Sequence, residues 1–197
     1  MTAHRPILPA RSRLSIRIVS DGHLRDGHAP PFRSTLEAHA YQHRRRIRSG
    51  YGTEFDFGFR AGDIVGAELI LPPGPDPFAG NPEAFARGCD TAAAQMTFHA
   101  PISSLVMLGD VARDCSAGEA ILRVRAFVEA QVLPMGLGVD AVLHDPRRKG
   151  DAAGLHAHLL VSVRTLTANG FGPFIRIAKE PVTFARWRAS WAAIVAT

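Results

Sequence analysis

Two short segments, 139–144 (VDAVLH) and 156–163 (HAHLLVSV), constrain the fold of this chain more than any other feature. Side chains two apart on a strand share a face. His156 and His158 therefore point one way, and Ala157, Leu159, Val161 and Val163 point the other. This alternation predicts a half-buried strand with its histidines turned away from the core. On the earlier segment Val139, Ala141 and Leu143 alternate with Asp140, Val142 and His144. The connection over 145–155 contains Pro146, Gly150 and Gly154 and lets the two strands pair antiparallel, about 4.8 Å apart. His144 then lies beside His156 and His158. Three neutral imidazoles on one face can hold a divalent metal and leave coordination positions open. Two surface histidines on a strand are commonplace; the third, at the facing strand end, turns the reading toward a metal site.

Length and composition bound the rest. The 197 residues predict one domain, a basic tail over 1–13 followed by a folded domain over 14–197. Apolar residues make up 46% of the chain, enough for a sizeable core without disulfides. No run reaches the roughly 20 apolar residues a membrane span needs, and the N-terminal segment has no signal-peptide apolar region. Cys89 and Cys115 form neither a CxxC pair nor a disulfide framework and read as reduced thiols. No P-loop, GxGxxG or Ser-His-Asp pattern is present. The formal charge is +5, and because only Lys149 and Lys179 are lysines, the cations are almost all arginines. Their planar forks suit phosphate oxygens.

Local patterns predict the remaining elements. Residues 14–19 alternate as a strand, and 20–31 form a Gly/Asp/Pro loop. Ser34-x-x-Glu37 fits a capping box that opens a helix with a stripe of Leu36, Ala40 and Ile47. A strand over 64–71, an Ala-rich helix over 83–98 and a short buried strand over 105–108 follow. Ser116-x-x-Glu119 opens a helix to about 132 with Ala120, Val124, Phe127 and Val128 inward. The last helix, 184–195, aligns Phe184, Trp187, Trp191 and Ile194, which reads as core packing rather than base stacking.

The chain has two tyrosines. Tyr41 falls one helical turn after Glu37 and one before Arg44 and Arg45, with Arg46 and Arg48 close behind. Guanidinium groups beside a phenol hold a phosphate and favour the phenolate that would attack it. Taken alone, the segment reads more simply as a half-buried tyrosine followed by a solvated arginine face. Tyr51, between Gly50 and Gly52, sits in a turn and is the weaker nucleophile candidate.

With AHAYQHRRRI, FDFGFRAGDIVGAELILP, GLGVDAVLHDP…LHAHLLVSVRTL, GFG at 170–172 and RWRASW at 186–191, the chain resembles the N-terminal relaxase domain of MobA/MobL-type plasmid mobilisation proteins, which are HUH endonucleases. The resemblance implies an α/β (α+β) domain with a central, mainly antiparallel sheet and helices packed on it. It implies a transesterase that nicks single-stranded DNA at an origin of transfer through a 5′-phosphotyrosyl link. Tyr41 matches the nucleophile, and His144, His156 and His158 match the metal triad. The working ion would be Mg2+ or Mn2+, with Zn2+ or Ni2+ also able to occupy such a site in a purified sample. Asp56 and Asp90 are supporting acids. Arg44, Arg45, Arg46, Arg147, Arg148 and Lys149 are candidate DNA-backbone contacts, and GFG serves a tight turn. The implied setting is a bacterial cytoplasm, with other mobilisation proteins as partners.

The chain also departs from the family pattern. Where relatives carry a Trp-containing helix with two glutamates, it reads AFARGCDTAAAQMTFHAPISSLVMLGD: Asp90 stands for one acid and an alanine for the other. After Tyr41 it has Gln-His-Arg-Arg-Arg in place of Arg-Ser-Gly. Three alternatives stay open: a catalytically impaired relative that binds origin DNA without cutting, a three-histidine metallohydrolase acting on a small molecule, and a partner-binding structural domain.

Overall fold

A computed structural model describes residues 14–19, 32–49, 52–74, 76–95, 102–109, 111, 115–150, 153–175 and 181–196. The tail over 1–13, the loop over 20–31 and Tyr51 lie outside these residues. The elements in chain order are β1 (Leu14–Val19), α1 (Thr35–Gln42), β2 (Arg46–Arg48), β3 (Glu54–Asp56), β4 (Ile64–Ile70), α2 (Pro82–Ala94), β5 (Ser103–Leu108), α3 (Ala117–Gln131), β6 (Val139–His144), β7 (His156–Ser162), β8 (Arg164–Thr167), β9 (Gly170–Phe174) and α4 (Pro181–Val195).

Five strands form one sheet in the order β1-β5-β7-β6-β4, with every neighbouring pair antiparallel. The expected pairing of the histidine strands is present, and His144 stands directly opposite His156. One sheet face carries Val139, Ala141, Leu143, Ala157, Leu159 and Val161, packed against Ala120, Val124, Phe127 and Val128 of α3 and Trp187 and Trp191 of α4. Phe127 meets both indoles edge-on, at 5.9 and 5.8 Å between centroids, and the Trp191 indole donates to the Gly109 carbonyl at 3.0 Å. The tryptophans are core residues, as their helical spacing predicts.

The opposite face is also covered, which corrects the half-buried reading. Leu105 and Leu160 pack under Ala38 of α1, and His158 is buried. Some polar groups on this face pair internally; the Thr35 hydroxyl, for example, donates to the Ser103 hydroxyl at 3.0 Å. Such buried serines explain why β5 is longer than its apolar run suggests.

Both helix starts behave as their caps predict, with one difference. Ser116 and Glu119 exchange the two bonds of a capping box. Ser34 accepts from the Glu37 amide at 3.0 Å, but Glu37 reaches back to the Arg33 amide at 2.8 Å instead of Ser34. Helix α1 is shorter than its apolar stripe implied. It stops at Gln42, and Arg44 takes a left-handed backbone (φ 52°) that turns the chain into β2. Ile47 therefore belongs to β2, opposite Phe55, and returns to pack on Leu36 and Ala40 from outside the helix. The 145–155 connection is partly ordered as a 3₁₀ turn, Pro146–Lys149, closed by left-handed Gly150. Gly170 (φ 100°) makes the β8–β9 turn expected of GFG. Both cysteines are free thiols.

Candidate functional site

The sheet register brings the three predicted histidines together. His144 ends β6, and His156 and His158 lie on the facing stretch of β7. Their ring centroids are 4.9 Å (His144–His158), 5.1 Å (His156–His158) and 5.5 Å (His144–His156) apart. Burial, with the Arg44 charge nearby, pushes His144 down to about 4. Burial also pushes His158 well below the usual imidazole range, and the charges of His144, His156 and Arg44 add to this. Both rings are thus neutral near pH 7, with lone pairs available. The His156 Nδ1–H donates to the Gly154 carbonyl at 3.0 Å, which leaves Nε2 as its free acceptor. Both nitrogens of His144 and Nδ1 of His158 are buried without a hydrogen-bond partner. Orphaned neutral imidazole nitrogens in one cluster are donors of the kind a divalent cation takes, although among the described residues the three are not a group with all ligand atoms within 4.8 Å of one another.

Tyr41 stands on the last turn of α1 against this cluster, its ring 5.7 Å from that of His158. Phe32 lies at 5.1 Å and Phe57 meets the ring edge-on at 5.5 Å. Arg44 stacks over the ring face, its guanidinium carbon 4.7 Å from the centroid. The left-handed backbone at Arg44 folds this side chain back, where it donates to the Tyr41 carbonyl (2.9 Å) and pairs with Asp63 (3.1 Å). Arg44 is therefore a buried residue that packs on the tyrosine. Arg44 thus does not belong to a solvated arginine face.

The acids also fall differently from expectation. Asp63, which the sequence reading passed over, is buried just before β4 with an oxygen 3.3 Å from His144 Nδ1, an ion-pair distance without hydrogen-bond alignment. Burial pushes its carboxyl up, but the Arg44 hydrogen bond and the charges of His144 and Arg44 outweigh this and hold it below the usual range. Asp56 instead points outward from β3, because the alternation that turns Phe55 and Phe57 inward turns Asp56 to solvent. It accepts from the Gly58 amide at 3.0 Å and lies 4.0 Å from Arg46. Asp90, on α2, caps α1 by accepting from the Thr35 and Leu36 amides at 2.7 and 3.1 Å. Burial nevertheless raises its carboxyl above the usual range, those bonds only partly opposing it.

Among the other basic candidates, Arg45 is exposed, Arg46 pairs with Glu54, and Arg147 is held by Asp145 at 2.7 Å. Arg148 and Lys149 are exposed on the 3₁₀ turn that follows His144.

Beneath α1 lies a second polar cluster. His39 Nδ1 is 2.7 Å from Asp140, His43 Nε2 is 2.8 Å from it, and the Gln42 amide donates to it at 2.6 Å. Among the described residues this is the group of three whose ligand atoms all lie within 4.8 Å of one another, so it could hold a metal ion. The signal was available as His-x-x-x-His on one helix face. It was missed because Asp140 reads as one polar residue in an apolar strand.

The geometry can be set beside known proteins. The sequence model of the MobA/MobL family matches residues 33–196. The conjugal transfer protein TraA of Agrobacterium fabrum is 29% identical over 176 residues. That alignment covers 83% of this chain and 14% of the relative, so the chain spans a small part of that protein's length. A chain solved under the heading "Molecular Basis of Vancomycin Resistance Transfer in Staphylococcus aureus" superposes with a TM-score of 0.73 at 19% identity, over 94% of this chain and 90% of its own. That likeness shows a shared fold. With more than half of its residues matched by the family's sequence model, the chain belongs to the MobA/MobL family.

Proposed function

We propose that this chain is a DNA relaxase domain that nicks single-stranded DNA at a plasmid origin of transfer, with Tyr41 as nucleophile and His144, His156 and His158 as metal ligands. The observation that carries the reading is the placement of the Tyr41 ring against the histidine cluster. Family membership supports it. A divalent ion on the three imidazoles, Mg2+ or Mn2+ in use, would neutralise charge on the scissile phosphate.

The chain's own residues do the rest. Phe32, Phe57 and Arg44 fix the Tyr41 ring, which limits the geometries its oxygen can sample. The phenol loses its proton to solvent, and its oxygen attacks phosphorus in line. The P–O bond to the 3′ side breaks, and the 3′-oxygen leaves as a hydroxyl after gaining a proton. The 5′-phosphotyrosyl link keeps the bond energy, so the strand can be rejoined. Asp63 lies beside His144 and balances the Arg44 charge. Arg45, Arg148 and Lys149 are the cations best placed for DNA phosphates. The reading sets the chain in a bacterial cytoplasm with other mobilisation proteins; among the described residues no helix is long and apolar enough to cross a membrane.

The test is a labelled single-stranded origin oligonucleotide incubated with the protein and Mn2+. A covalent adduct that disappears in Tyr41→Phe is expected. An adduct that survives the substitution removes Tyr41 from its role. Salt-dependent binding without any adduct would establish an origin-binding relative that does not cut.

A further inference from the structure

We propose that His39, His43 and Asp140 form a second metal site, distinct from the histidine triad, whose ion ties the last turn of α1 to β6 and so fixes the backbone that carries Tyr41. His39 and His43 are four apart and share one face of α1, with rings 4.2 Å between centroids. Tyr41 lies between them in sequence, so an ion held by both grips the helix on either side of it. Asp140 faces them from β6.

The donor atoms are already gathered, with nitrogen–oxygen distances of 2.7, 2.8 and 3.0 Å. Ligands around a tetrahedral Zn2+ at 2.0–2.1 Å stand about 3.3 Å apart, so an outward shift of about half an ångström admits the ion. The charge balance asks for a cation. Asp140 is fully buried, and its partners are two imidazoles and the Gln42 amide, with no lysine or arginine among them. A buried carboxylate is costly without a counter-charge. Gln42 Oε1 and His39 Nε2 are buried with no hydrogen-bond partner. Turning the Gln42 amide over would present that oxygen beside Asp140 as a fourth donor. Two imidazoles with carboxylate and amide oxygens select a borderline ion of the Zn2+ or Co2+ class.

The site is separate from the triad. Asp140 precedes His144 by four residues, about 13 Å along β6, and pairs with Leu160 where His144 pairs with His156. The rival arrangement is metal-free, with Asp140 held only by its imidazole and amide partners. The two differ in metal count, whether or not the protein nicks DNA.

The experiment strips the full chain with chelator, titrates it with Co2+ and Zn2+ alone, and counts bound ions by elemental analysis and by the Co2+ visible spectrum. Two equivalents are expected in the parent, one in His156→Ala/His158→Ala, one in Asp140→Asn, and none when the sets are combined. His43→Gln replaces Asp140→Asn if the latter does not fold. A parent that binds one equivalent and loses it in His156→Ala/His158→Ala overturns the second site. So does a folded Asp140→Asn or His43→Gln chain that binds as many ions as the parent.

Discussion

Acid should unfold the metal-free protein through His144 before it touches most carboxylates. In the folded chain burial holds this imidazole down to about 4, from 6.5 in the open chain. Between those values the unfolded chain binds a proton and the folded one does not. Stability is therefore fully present above pH 6.5 and is lost as pH falls toward 4. At about 1.36 kcal/mol per pH unit the gap amounts to about 3 kcal/mol, a large share of a typical domain stability. His158 shifts in the same direction and steepens the loss. Urea unfolding in chelator at pH 7.5, 6.5, 5.5 and 4.5, followed by tryptophan fluorescence, measures the effect. His144→Gln should lower stability at pH 7.5 but flatten the pH dependence. A substituted chain that loses as much as the parent between pH 6.5 and 4.5 would refute the argument. So would a parent whose stability is flat over that range.

Other expectations concern single side chains. Trp191→Phe should cost about 1 kcal/mol more than Trp187→Phe, because only the Trp191 indole has a hydrogen-bond partner, the Gly109 carbonyl, while the Trp187 N–H has none; denaturant midpoints decide. Asp63→Asn leaves Arg44 buried against a neutral group and should destabilise by about 3–5 kcal/mol, and a change under 1 kcal/mol by the same assay would contradict the pairing. Gly138→Ala places a methyl 2.6 Å from Leu166 and 2.9 Å from Phe85 and should cost about 1–3 kcal/mol, read as a fall in Tm. Arg148→Ala/Lys149→Ala should flatten the log–log salt dependence of single-strand binding by about 1.4; an unchanged slope removes both from the interface.

The sequence was most readable where a periodic pattern met a single structural cause. Period-two alternation in β6 and β7 placed three histidines on one face, and Ser116 with Glu119 marked the start of α3. It was least readable where an outcome depended on distant segments. Nothing near Arg44 announces that a left-handed residue ends α1 there, because the partner that holds its side chain, Asp63, lies nineteen positions on. Asp56 and Asp63 are equally acidic in sequence. Only the β2–β3 hairpin and the start of β4 decide which one meets His144. Asp140 needed α1 to be laid over β6 before its histidine partners could be seen.

The strands bearing the histidine trio are both interior ones: β6 is laced to β4 and β7, and β7 to β5 and β6. Displacing His144 or His158 by moving its backbone would tear ladders on two sides at once, and His156 is tied to His144 across from it. On the proposed reading the site is thus a stiff anvil, and a single strand laid upon it would do the conforming. Discrimination among strands would then depend on how readily each bends to a fixed shape.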